Sequence, residues 1–92
     1  MLKEVTKTEE DVALLEETTE EFQVLLYNDD VNTFDWVIEC LIDICSHDEL
    51  QAEQCALLVH FKGKAVVKKG SLNEMQTICQ ALCDRDLSAV VE

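Results

Sequence analysis

An apolar run over Phe22–Tyr27 stops at Asn28-Asp29-Asp30, and a second apolar pattern of different period begins at Phe34. Phe22, Val24 and Leu26 alternate with Gln23, Leu25 and Tyr27. Period two is the signature of a strand, here with one face buried and the other partly so. Phe34, Val37, Ile38, Leu41, Ile44 and Cys45 recur at helical spacing, which predicts a helix over 34–45 with Trp36 off its apolar stripe. Strand must therefore pass through turn into helix at one short corner. Asn and Asp suit such a corner because their short side chains hydrogen-bond neighbouring backbone. Asn32 or Thr33 is the expected helix N-cap.

The rest of the chain follows from that corner. Ser46-His47-Asp48-Glu49 reads as a capping box with Ser46 as N-cap, opening a second helix. Leu50, Gln54, Leu57, Leu58 and Phe61 form its expected inward stripe, and Gly63 ends it. A short strand over 65–68, a turn at Gly70 and a second capping box, Ser71-Leu72-Asn73-Glu74, come next. The third helix is expected to turn Leu72, Met75, Cys79 and Leu82 inward. A last strand over 87–91 carries Leu87, Ala89 and Val91 on one face. The order strand-helix-helix-strand-helix-strand predicts an α+β two-layer sandwich, three strands in one small sheet with three helices on one face. Residues 22–92 form this domain. Residues 1–21, with eight acidic residues and two lysines, are expected to be a flexible acidic extension.

Composition excludes several functions. Twenty acidic residues against seven basic ones give a net charge of −13, the wrong sign for a nucleic-acid partner. A cationic ligand is attracted instead. No apolar run approaches the ~20 residues of a membrane span, and no signal-peptide core is present, so a cytoplasmic protein is expected. An odd five cysteines argue against a disulfide framework. Cys79 and Cys83 read as small buried hydrophobes, and neither they nor His47 and His60 show a metal-ligand spacing. Nucleophile, base and oxyanion site cannot be named together, so no enzyme, metal or cofactor is expected. Lys62, Lys64, Lys68 and Lys69 gather around the second strand, where lysines protect a sheet edge.

A binding site asks for less. An α-ammonium group needs a small cluster of acceptors with net negative charge. Asn28 offers an amide oxygen, Asp29 a carboxylate and neutral His60 a ring nitrogen. Read alone, His60 is first a helix-terminal histidine bonding last-turn carbonyls, and only the family likeness below reverses that order. Asn28-Asp29-Asp30, then Thr33, then His60-Phe61-Lys62-Gly63-Lys64-Ala65 closing the second helix, resemble the pattern of the ClpS family over residues 22–92. These are small adaptors of the Clp protease that recognise N-degrons. The resemblance implies an antiparallel three-stranded sheet on three helices. It implies α-amine binding by Asn28, Asp29 and His60, with Asp30 and Thr33 as supporting residues and Thr33 near the pocket mouth. It also implies an apolar pocket for the first side chain at Phe34, Ala56, Val59 and Leu87. Methionine is usual in the family at Phe34 and often at Ala56, so the pocket is reshaped here. The implied partners are substrate N-termini and the N-terminal domain of a Clp-type ATPase, whose usual contact positions are Asn73 and Ile78. The alternative is an acidic interaction module without N-degron recognition.

Overall fold

The computed structural model describes residues 20–92, so the acidic extension expected over 1–21 lies almost wholly outside the described residues. Six elements follow in the expected order: β1 (Phe22–Tyr27), α1 (Phe34–Cys45), α2 (Glu49–Lys62), β2 (Lys64–Gly70), α3 (Leu72–Asp84) and β3 (Ser88–Val91). β1 is the middle strand of an antiparallel sheet ordered β2-β1-β3. Val24 and Leu26 project from it into a core closed by Leu41, Cys45, Ala52, Val59, Val67, Met75, Leu82 and Ala89. The helices lie on that side of the sheet. On the other side Leu25 stands between Val66 and Val90 on the neighbouring strands.

Local chemistry sets the helix ends. Thr33 is extended and its Oγ1 accepts the Trp36 N–H at 3.1 Å, so Thr33 is the N-cap of α1. Ser71 caps α3 in the same way, accepting from Glu74 N–H at 3.3 Å. The capping box expected at Ser46 is not formed. Ser46 has φ 61 and ends α1 in the left-handed region, and Asp48 caps α2 by accepting the Gln51 N–H at 2.7 Å. A left-handed residue cannot adopt the extended backbone an N-cap needs, so the next competent side chain takes the role. Gly63 closes α2 at φ 90, a conformation glycine adopts without a Cβ penalty.

The inward face of α2 is the largest departure from the sequence expectation. Ala52, Ala56 and Val59 are buried, while Leu50, Leu58 and Phe61 are exposed by 66%, 49% and 73%. α2 is packed against both α1 and β2, and small side chains let those backbones approach closely. On α1, Cys40 is buried beside Leu41 and Cys45, and Trp36 is half-buried against the core with its Nε1–H donated to Arg85 O at 3.3 Å. Leu72 is exposed rather than inward on α3. Cys83 is exposed too, and Cys79 half-buried; both thiols donate to Ala89 O, at 3.4 and 3.3 Å.

β2 is longer than expected and carries a bulge. Val24 pairs with Lys68 and Leu25 with Val66, so Val67 is the extra residue. The buried His47 ring donates Nε2–H to the carbonyl of Val67, and Lys68 Nζ donates to Cys45 O at 2.9 Å. The irregular stretch of this edge strand is thus tied to the α1–α2 connection.

Candidate functional site

The site lies where the end of β1 meets the end of α2. Asn28 N–H donates to Gly63 O at 2.9 Å, which pins the Asn28-Asp29-Asp30 corner beside the last turn of α2. His60 stands on that turn, its ring edge-on to Phe61 with centroids 4.9 Å apart. A cavity of about 430 Å³ opens between the corner, α1 and α2. Asn28, Asp29, Asp30 and His60 form its polar wall, and Phe34, Ala56 and Val59 much of its apolar wall. Ala56 and Val59 are buried, whereas Phe34, at the start of α1, is 39% exposed.

Not every expected residue reaches this cavity. Leu87 is buried and lines a narrow adjoining cleft of about 20 Å³ with Leu26, Val37 and Val59. Thr33 does not line the cavity; its hydroxyl serves the α1 cap. Four lining residues escaped the sequence reading: Asn32, Val37, Leu57 and Phe61. Val37 lies one turn beyond Phe34 and Leu57 one turn before Phe61, so helical spacing from the two residues flanking the corner was the available signal.

The two neighbouring carboxylates are engaged differently. Asp29 Oδ1 accepts the N–H groups of Val31 and Asn32, both at 2.8 Å, and Oδ2 accepts Asn32 Nδ2 at 2.9 Å. Three of the roughly four acceptor positions of a carboxylate are thereby filled. Burial pushes the Asp29 carboxyl up, but the hydrogen bonds from Asn32 and Val31 outweigh it and hold its pKa below the ordinary value. Asp30 is exposed, lines the same cavity, and receives no hydrogen bond from any described residue. Its charge stands open at the polar wall, while that of Asp29 organises the corner.

The cavity thus sets an acceptor-rich, negatively charged wall against an apolar recess. Among the described residues no group of three or more His, Cys, Asp or Glu side chains is arranged to hold a metal ion. No helix among them is long and apolar enough to cross a membrane.

Comparison with known proteins agrees with this architecture. The family model described as ATP-dependent Clp protease adaptor protein ClpS matches residues 17–89. The chain is 44% identical over 63 residues to the ATP-dependent Clp protease adapter protein ClpS of Oleidesulfovibrio alaskensis, covering 66% of this chain and 61% of that one. To the protein of the same name from Streptomyces coelicolor it is 31% identical over 91 residues, covering 97% and 95% of the two chains. Its fold matches a solved structure of Agrobacterium tumefaciens ClpS2 bound to L-phenylalaninamide with a TM-score of 0.74 at 21% identity, over 82% of this chain and 96% of that one. Element order, sheet topology and family model thus converge, and the chain belongs to the ClpS family of ATP-dependent Clp protease adaptor proteins, a family of adaptors and not of enzymes.

Proposed function

We propose that this protein binds polypeptides through a free N-terminal α-amine and a large apolar first residue, Leu, Phe, Tyr or Trp, and delivers them to a Clp-type AAA+ chaperone-protease. The observation that carries the reading is the cavity itself, with Asn28, Asp30 and His60 on one wall and Phe34, Ala56 and Val59 on the other. The ammonium donates to the Asn28 amide oxygen, the Asp30 carboxylate and the neutral His60 ring. Asp29, expected among the amine's acceptors, instead fixes the corner behind them, since its oxygens already accept from Val31 and Asn32, and Asp30 takes its place in the proposal. Hydrogen bonds to a charged donor contribute on the order of 1.5–3 kcal/mol each. L-phenylalaninamide, the ligand of the Agrobacterium relative, is itself a free α-amine beside a phenyl side chain. Leu87, in the adjoining cleft, backs Val37 and Val59 rather than touching the first side chain.

The chaperone contact falls on α3. Asn73 and Ile78, the positions assigned to it by family likeness, line a separate depression of about 370 Å³ with Lys68 and Lys69. Substrate and chaperone thus occupy different surfaces, as delivery requires. The reading places the protein in the cytoplasm, in keeping with five cysteines that are all free thiols.

The test is a titration with short peptides beginning in Phe, with the amine free or acetylated. Acetylation removes the charge and donors, and affinity is expected to fall by orders of magnitude. Equal binding of the two forms rejects the reading in favour of an interaction module without N-degron recognition.

A further inference from the structure

The corner that carries the acceptors is a thin wall. On one side is the 430 Å³ cavity; on the other is an open hollow of about 700 Å³ lined by Val31, Trp36, Asp84, Arg85 and Asp86. Asp29 and Asn32 line both. Asp29 and Asn32 are half-buried, with Leu26, Val37 and Leu87 across a narrow cleft from them, so packing contributes to the segment's position. Hydrogen bonds fix it further, and most of those within 28–32 pass through Asn32.

Asn32 makes three. Its backbone N–H donates to Asp29 Oδ1 at 2.8 Å. One proton of its side-chain amide goes to Asp29 Oδ2 at 2.9 Å, and the amide also donates to the carbonyl of Asp86 at 2.8 Å. The far end of this link is firm. Asp86 has φ 69, and its own N–H is held by Cys83 O at 2.9 Å. The neighbouring Arg85 carbonyl accepts from Trp36 Nε1 on α1. One carboxamide therefore joins the acceptor corner to the α3–β3 connection.

We propose that Asn32 is the positioning residue of the amine site: its amide fixes the Asp29 carboxylate to the Asp86 turn and so sets where Asn28 and Asp30 stand. Asn32 touches no ligand in this scheme. A carboxamide suits the position because it supplies two N–H donors from one planar group, whereas a hydroxyl supplies one. The inference rests on the amine-binding reading above, and its test keeps the two apart.

Parent, Asn32→Ala, Asn32→Thr and Asn32→Asp proteins are titrated with a Phe-initiated peptide, free and acetylated. The Asp29 carboxyl carbon is followed by NMR against pH in each. Thermal melts monitor folding. Expected is at least a tenfold loss of affinity in Asn32→Ala, a smaller loss in Asn32→Thr, which keeps one donor, and the largest in Asn32→Asp, which sets two carboxylates together. The Asp29 titration midpoint should rise in Asn32→Ala, a change that a general loss of stability does not produce in a folded sample. Should Asn32→Ala fail to fold, Asn32→Thr carries the same comparison. An unchanged Asp29 midpoint, or a raised midpoint with unchanged affinity, overturns the proposal. A parent that binds free and acetylated peptide alike overturns the amine-binding reading, and in that event the proposed role of Asn32 falls with it whatever the NMR midpoint.

Discussion

Single residues divide the site into what touches a ligand and what holds the touching groups. Asp30→Asn removes an open charge from the cavity wall and leaves the corner's bonds in place. It should cost affinity for free-amine peptides about tenfold or more, while shifting the melting temperature little. Asp29→Asn should show the opposite emphasis. Its folded-state pKa is depressed, so its ionised form stabilises the fold at every pH above the unfolded value. That contribution is lost as pH falls through the folded value. Acid unfolding of the parent should include it, and an Asp29→Asn variant, less stable at neutral pH, should unfold less steeply in acid. His60 contributes a ring nitrogen to the proposed polar wall, so His60→Ala should bind free-amine peptides weakly. Phe34, at the start of α1 on the apolar wall, is the proposed gate of the recess. A planar ring at the mouth should reject β-branched first residues, so Phe34→Ala should admit Ile and Val while losing some affinity for Phe and Leu. A peptide series differing only at the first position checks this. Family likeness made Asn28, Asp29 and His60 legible as the acceptor set, with Asp30 only in support, and the proposed site exchanges the two aspartates. The division of labour between them was not legible, because it depends on which N–H groups the folded corner aims at each carboxylate.

At the scale of elements, strand and helix periods placed all six segments, and errors collected where two residues competed for one role. Ser46 and Asp48 are both competent caps, and only the left-handed backbone at Ser46 decides between them. Asp48→Ala should therefore cost about 1 kcal/mol, while Ser46→Gly should be neutral or stabilising; thermal melts distinguish the two. Helix α2 shows the other kind of error. The stripe expected from helical spacing put Leu50, Gln54, Leu57, Leu58 and Phe61 inside, but the buried residues of α2 are Ala52, Ala56 and Val59. Periodicity finds a face, and the distance to the neighbouring backbone chooses which face. Gly63 links element to site. A Cβ there meets nothing within 4 Å, so Gly63→Ala should cost only the backbone term, roughly 1–2 kcal/mol. Because the Gly63 carbonyl holds Asn28 N–H, the same substitution should also weaken peptide binding.

The whole molecule acts as an anion toward its ligands. At a net charge of −13 its field attracts any free N-terminus before contact, and added salt shortens the reach of that field to about 8 Å at physiological strength. Association rates for a peptide carrying extra lysines should fall with salt, with dissociation rates changing less. Stopped-flow measurement over a salt series checks this. The strand order has a consequence in time as well as in space. β1 is made early in synthesis, yet it is the central strand, and its partners β2 and β3 come from the middle and the far end of the domain. Gln23 and Glu92 exchange both their backbone hydrogen bonds, at 2.9 and 2.8 Å, so the first and last described stretches close on each other. A chain still on the ribosome holds β1 with one edge unpaired until β3 leaves the exit tunnel. Such non-local pairing is slow relative to helix formation. A nascent chain stalled before Leu87 should stay protease-sensitive, and full protection should arrive in a single step once Glu92 has emerged.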